Sequence, residues 1–154
     1  MDEQVRTKFL GDLGKYLLTW HLRSKFGINV SLVKVEGIDL LCRDEEGVLF
    51  PKGMYMAIGV RTRERVKDKA DETVKVDWDK IEEASKKWNA IPYFAYIRIA
   101  PENGDATFFL FPISKAKTYG KKFNMRMVAQ GLSNILFKIM FEPYPQLRDW
   151  RVTN

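Results

Sequence analysis

Cysteine, histidine and long apolar runs are all scarce in this chain. Its 154 residues include one cysteine, Cys42, and one histidine, His21. A lone cysteine closes no internal disulfide, so the fold must be held by a packed core. A lone histidine without cysteine partners builds no typical zinc site. No apolar run approaches the ~20 residues needed to span a bilayer. Met1-Asp2-Glu3-Gln4 shows no basic flank leading into an apolar stretch, so no secretory signal is expected. A cytoplasmic location without a membrane partner is the expectation. A Gly-x-x-x-x-Gly-Lys phosphate loop and a dinucleotide fingerprint are missing too. Ser24, Ser31, Ser85, Ser114 and Ser133 fall in no nucleophile elbow or triad spacing.

What remains is ordinary globular material with a basic bias. Hydrophobic residues make up 45% and charged residues 30%, enough for a packed core in one domain, 1–154. The net charge of +6 is compatible with a polyanionic partner.

Residues from Thr7 to Phe26 are predicted to form a helix. Phe9, Leu10, Leu13, Tyr16, Leu17 and Trp20 recur at three- and four-residue steps, and Gly27 is a stop signal. Gly11 and Gly14 inside it each cost up to ~1 kcal/mol relative to alanine. Close approach to a sheet is a compensation their shared face allows. Asn29–Val35 and Ile38–Arg43 read as strands, with Cys42 as a small buried hydrophobe. Asp44–Gly47 reads as a hairpin turn, Val48–Phe50 as the start of a return strand, and Met54–Arg61 as the next long strand. Thr62–Val76 is a charged excursion. A second helix is expected over Asp77–Asn89, with Trp78, Ile81, Ala84 and Trp88 as its apolar stripe. Asp79 and Glu82 resemble a capping pair there. Ile91–Ala100 and Ala106–Pro112 are strands joined through an Asn-Gly hairpin signal. Gln130–Phe141 fits a helix or a strand, and Glu142–Asn154 a tail. His21, near the first helix end, reads as a surface or half-buried packing residue rather than a general base or ligand. The Tyr93–Tyr96 and Phe108–Phe111 strands suggest an aromatic outer face suited to a dimer surface. Tyr119-Gly120-Lys121-Lys122-Phe123 interleaves rings with charge. Ring packing on the core is favoured there over a base-stacking platform.

The order helix, three strands, helix, two strands predicts an α/β fold with a mixed central sheet flanked by helices. Gly37-Ile38-Asp39 on one strand and Ile58-Gly59-Val60-Arg61 on the next give this order a family likeness. The chain resembles the PD-(D/E)XK, or restriction-endonuclease-like, superfamily, with its αβββαβ core at about 7–112, an added strand, and a C-terminal extension at about 113–154. In that family an Asp on one strand and Glu-x-Lys on the next hold a divalent metal and steady the attacking water.

Asp39 matches the first motif. Gly59 and Arg61 stand where the second has Glu and Lys. Many relatives also carry a Glu after a Gly-x-x-Gly-like pattern on the first helix, and Gly11-Asp12-Leu13-Gly14 is followed here by Lys15. The resemblance therefore implies a vestigial catalytic set of Asp39, Gly59, Arg61 and Lys15. Arg61 is expected to pair with Asp39 in the metal's place. The expected role is a nuclease-like domain that has lost metal-dependent catalysis and needs no cofactor. It would act as a nucleic-acid-binding or interaction module, with DNA as partner. Arg61, Arg63, Arg65, Lys121 and Lys122 are its candidate phosphate contacts. The alternative is an active Mg²⁺-dependent endonuclease, with metal on Asp39 and a migrated carboxylate from Glu36, Glu82 or Glu83. The third reading is a homodimeric structural protein.

Overall fold

Alternating side chains place two apolar faces on one central sheet. The computed structural model describes residues 2–64, 73–100, 105–124 and 137–140. Helix α1 spans Glu3–Phe26, then strands β1 Asn29–Val35, β2 Ile38–Arg43 and β3 Tyr55–Glu64 follow, with the short β4 at Thr73–Lys75. Helix α2 spans Trp78–Lys87 and leads to β5 Ile91–Ala100 and β6 Asp105–Pro112. A short helix α3, Ile113–Ala116, precedes β7 Lys122–Asn124 and β8 Phe137–Met140. The main sheet runs β1-β2-β3-β5-β6-β8, and β4 pairs with β7 in a separate ribbon. Among the described strands only β3 and β5 pair in parallel, and α2 lies in the crossover between them. The α/β mixed-sheet expectation is met.

Along β3, Met56 and Ile58 point to α1, where they pack with Leu18, Leu22, Leu40 and Ile97. Ala57 points the other way, into a core with Trp78, Ile81, Ala84, Phe94, Tyr96 and Phe111. Both faces of the central strands are therefore covered, which is why their sequences read as nearly continuous apolar runs. Each such fully buried large side chain contributes about 1.5–3 kcal/mol. The expected outer aromatic face on β5 and β6 is not there. Phe94, Tyr96, Phe108, Phe109 and Phe111 are all buried.

Helix α1 starts four residues before its predicted start. The Asp2 carboxylate accepts from the Val5 amide at 2.8 Å and caps a polar first turn that periodicity does not register. Its buried face is also not the predicted one. Gly14, Leu18, His21 and Leu22 face inward, while Phe9, Tyr16 and Trp20 face outward. Gly14 explains how the helix lies so close. A Cβ there would sit 1.9 Å from Thr62 Oγ1 on β3. At Gly11 the same atom would meet nothing within 4 Å.

Residue 44 reorganises the expected hairpin. The buried Asp44 carboxylate accepts from the Leu49 and Phe50 amides at 2.7 and 2.9 Å. Those amide protons are unavailable to a ladder, so 48–50 forms bends rather than a return strand. The capping residue of α2 is Asp77, accepting from the Lys80 amide, not the Asp79 and Glu82 pair. Trp88 terminates that helix and is exposed rather than part of its apolar stripe. β3 runs three residues past the predicted Arg61, to Glu64. The Asn-Gly at 103–104, most of 130–141, and 142–154 lie outside the described residues, although 137–140 is a strand on β6.

Candidate functional site

The site opens where two strands part company. The β2–β3 pairing runs from Arg43 and Tyr55 to Leu40 and Ile58. Just beyond that end, the amide of Val60, two residues past Ile58, donates to Asp39 Oδ2 at 2.7 Å. A carboxylate thus takes the amide proton of a strand residue just past the end of the ladder. The cleft beside this fork has a volume of about 400 Å³. Its walls come from α1 (Thr7, Gly11, Lys15), the β1–β2 bend (Glu36, Gly37), β3 (Gly59 to Arg63) and the start of α2 (Asp77, Lys80, Ile81).

The second oxygen of Asp39 is also taken. Lys15 Nζ lies 3.2 Å from Asp39 Oδ1, with both side chains about 30% exposed. Lys15 further reaches Asp12 at 4.0 Å. The predicted Arg61–Asp39 pair is therefore replaced by a Lys15–Asp39 pair. The reason is geometric. Gly14 lets α1 settle on β3, which lowers the next residue, Lys15, onto the fork. Arg61 instead is exposed along the cleft wall.

Gly59 is tightly covered. A Cβ at this position would lie 2.8 Å from Ile81 Cδ1 and 3.3 Å from the Gly37 carbonyl oxygen. Gly37 itself adopts φ +95°, and a Cβ on it would fall 2.5 Å from the Lys80 carbonyl oxygen. Two glycines thus let α2 press against the fork, where an acid at 59 would have projected.

The other candidate acids are paired at the surface, cap a helix or lie outside the cleft. Glu36 lines the cleft and pairs with Lys80 at 3.1 Å. Asp77 caps α2. Glu82 pairs with Lys117 at 3.0 Å, and neither Glu82 nor Glu83 lines the cleft. Among the described residues, no three His, Cys, Asp or Glu side chains cluster as metal ligands. The donor set does not fit a divalent ion at Asp39. One carboxylate oxygen faces an ammonium, the other an amide, and the neighbouring position 59 is a glycine under Ile81 that supplies no second acid.

The predicted phosphate contacts separate into two places. Arg61 and Arg63 both line the cleft, two residues apart on one face of β3. Lys121 and Lys122 do not line it, and Lys121 reaches Asp79 at 3.7 Å. Arg65 lies outside the described residues. Lys80 and Thr7 are cleft residues the sequence reading did not select. Asp77, an Asx cap three residues before Lys80, was the available signal for the former.

Both scarce side chains, His21 and Cys42, are buried away from the cleft. His21 is buried, stacked on Phe108 at 5.3 Å and edge-on to Phe26 at 5.6 Å. Burial first, then the Lys25 charge, pushes its pKa down to about 4. It is neutral near pH 7, and packed in the core rather than half-buried. Burial pushes the Cys42 thiol up to about 12, which keeps it protonated and inert. No helix among the described residues is long and apolar enough to cross a membrane.

No protein-family model matches the chain, and no curated protein matches it in sequence. A solved structure does. The Holliday junction resolvase Hjc from the archaeal hyperthermophile Archaeoglobus fulgidus matches with a TM-score of 0.55 over 84% of this chain and 91% of the resolvase. The chain has a restriction-endonuclease-like fold. Sequence identity in that match is 17%, so the likeness is one of architecture. Within the restriction-endonuclease-like frame, the fork at Asp39 and Val60 is the place where the resemblance put the first catalytic acid.

Proposed function

We propose that this restriction-endonuclease-like domain binds nucleic acid, DNA foremost, through the Asp39 cleft, and that it does so without metal-dependent cleavage. The observation carrying the second half is the Lys15–Asp39 pair, with Ile81 closed over Gly59. An ammonium already supplies the positive charge that the acid would otherwise recruit from solution. The first half draws on charge. Lys15 and Lys80 are paired with Asp39 and Glu36. Among the described residues, Arg61 and Arg63 have no carboxylate partner and lie along the cleft wall. Guanidinium groups about 7 Å apart on one strand face suit consecutive backbone phosphates. The fold match to a Holliday junction resolvase makes branched DNA the first substrate to try.

Anisotropy of labelled duplex and four-way junction DNA across a salt series tests binding. Each phosphate contact contributes about 0.9 to the slope of log affinity against log salt. Arg61→Ala and Arg63→Ala should each lower that slope by about 1. Salt-independent retention, or none, removes the binding claim. Plasmid nicking in Mg²⁺ or Mn²⁺ tests the rest. Cleavage that disappears in Asp39→Ala removes the claim of lost catalysis. It would favour the second reading, an active endonuclease, which one observation supports. Glu36 does line the same cleft as Asp39, and release from Lys80 would leave it as the migrated acid.

A further inference from the structure

Two arginines stand side by side near the end of the central sheet. In the parallel pairing of β3 with β5, Arg63 is the register partner of Arg98, and Arg61 that of Tyr96. Register partners on neighbouring strands project from the same face of a sheet, about 4.8 Å apart. The Arg63–Arg98 row continues onto β6 with Thr107, and the row behind it runs Arg61, Tyr96, Phe109. Among the described residues neither row contains an acid. Arg98 is partly buried, and its guanidinium carbon lies 6.0 Å from the centre of the Phe109 ring, a cation–π contact that supports it. Arg63 is exposed and lines the cleft.

Like charges directly opposite one another destabilise a sheet. The β4–β7 ribbon carries another such pair, Lys75 and Lys122. Both lysines there are exposed on a two-stranded ribbon, where water and salt screen them. Arg98 is different, because β5 lies inside the six-stranded sheet and the side chain is partly buried. Screening is weaker at such a place, for repulsion and for attraction alike. An anion set between the two guanidiniums turns the cost into a gain. The position suits a ligand as well. In open α/β sheets ligands gather outside the carboxyl ends of parallel strands. Arg63 is next to last in β3, and Arg98 stands two residues before the last of β5.

The two spacings call for different ligands. Arg61 and Arg63, about 7 Å apart along one strand, suit consecutive phosphates of a chain. Arg63 and Arg98 are closer and side by side, so both guanidinium forks reach one phosphate. An internal phosphodiester has a single charge. A terminal phosphate monoester carries about −1.5 to −2 at pH 7 and three acceptor oxygens. Two guanidiniums match the terminal group. We propose that Arg63 and Arg98 grip the terminal phosphate of a nucleic-acid strand, whose chain runs back past Arg61 into the cleft. This assignment rests on the nucleic-acid reading of the cleft and narrows it to strands that end in a phosphate.

Anisotropy of one internally labelled single-stranded oligonucleotide in three forms tests this with the full chain. The forms carry a 5′-phosphate, a 3′-phosphate, or hydroxyls at both ends. A phosphorylated form should bind about tenfold tighter than the hydroxyl form, or more. Arg98→Ala should erase that ratio. Arg98→Lys keeps the charge and loses the fork, so it should retain only part of it. Arg61→Ala should weaken all three forms alike and leave the ratio. If Arg98→Ala fails to keep the native circular dichroism, Arg98→Lys and the exposed Arg63→Ala make the same comparison. Circular single-stranded DNA, which has no ends, separates this assignment from the reading beneath it. Retention of the circle with no preference among the linear forms overturns the terminal-phosphate site and leaves the cleft reading standing. No retention of any DNA removes both. A preference that survives Arg98→Lys and Arg63→Ala unchanged overturns the assignment to these arginines. Displacement of all three forms alike by inorganic phosphate at matched ionic strength overturns it too, since it means a site for free anions.

Discussion

Two glycines one turn apart on the same helix should respond in opposite ways to the same substitution. Gly→Ala in a helix interior gains up to ~1 kcal/mol from backbone entropy. At Gly11 a new Cβ meets nothing within 4 Å, so that gain should appear almost whole. Gly11→Ala should raise Tm by about 2–4 °C in a domain of this size. At Gly14 the new Cβ would fall 1.9 Å from Thr62 Oγ1, 2.8 Å from Cγ2 and 2.9 Å from Cβ. Thr62 is β-branched and on a central strand, so it has few rotamers to escape into. Overpacking of this kind costs typically ~1–3 kcal/mol and outweighs the propensity gain. Gly14→Ala should therefore lower Tm by about 2–6 °C. The cause can be isolated with a double-mutant cycle. Thr62→Ala removes the two worst contacts, so Gly14→Ala/Thr62→Ala should be more stable than additivity predicts by about 1 kcal/mol or more. Calorimetry on the four proteins reads all three numbers. Equal stabilisation by Gly11→Ala and Gly14→Ala, or strict additivity with Thr62→Ala, would show that α1 does not lie on β3 as described. The placement of Lys15 on Asp39 would then fail with it.

Further outcomes are expected from the same geometry. Asp39→Ala leaves the Val60 amide without its acceptor and the Lys15 ammonium with only the longer Asp12 contact, so it should destabilise by about 1–3 kcal/mol in urea unfolding. A stabilised Asp39→Ala protein would mark Asp39 as a functional acid with no structural duty. For Asp44, burial alone would raise the carboxyl pKa. The Phe50, Leu49, Val48 and Gly47 amides outweigh burial and hold it below its ordinary value. Its stabilisation is therefore present above the unfolded carboxyl pKa and lost as pH falls below about 4. Asp44→Asn should flatten the stability profile between about pH 4.5 and 2, and an unchanged profile would count against the loop assignment. Native protein should leave Cys42 unmodified by a thiol reagent at pH 8, with full modification once urea unfolds it. Prompt native labelling would contradict its burial.

Much of the architecture is written in short-range pattern. Alternation and β-branching set β1, β2 and β5 to the residue, because their β-branched and apolar runs are bounded by turn residues. Turn chemistry was harder. Asp44 works through contacts five and six residues away, which no hairpin motif encodes. The face of α1 was misjudged because apolar residues occupy two stripes, and periodicity cannot say which one meets the sheet. The site was legible in its members and not in its pairings. Asp39, Gly59, Arg61 and Lys15 do converge on one cleft. Whether Lys15 or Arg61 reaches Asp39 depends on the distance between α1 and β3, a tertiary quantity. The one hint lay in Gly14, immediately before Lys15. Ile81 closing over Gly59 depends on two glycines 22 positions apart meeting under one helix, which spacing alone does not reveal.

The Val60 amide leaning on a side chain, where a neighbouring strand's carbonyl might have been, changes what an aspartate at position 39 means. Such a residue is a splice in the sheet as much as an acid, a role it holds whether or not any bond is ever hydrolysed. An aspartate at this place then speaks for architecture, and hydrolytic competence has to be judged from the positions around it that carry no structural obligation.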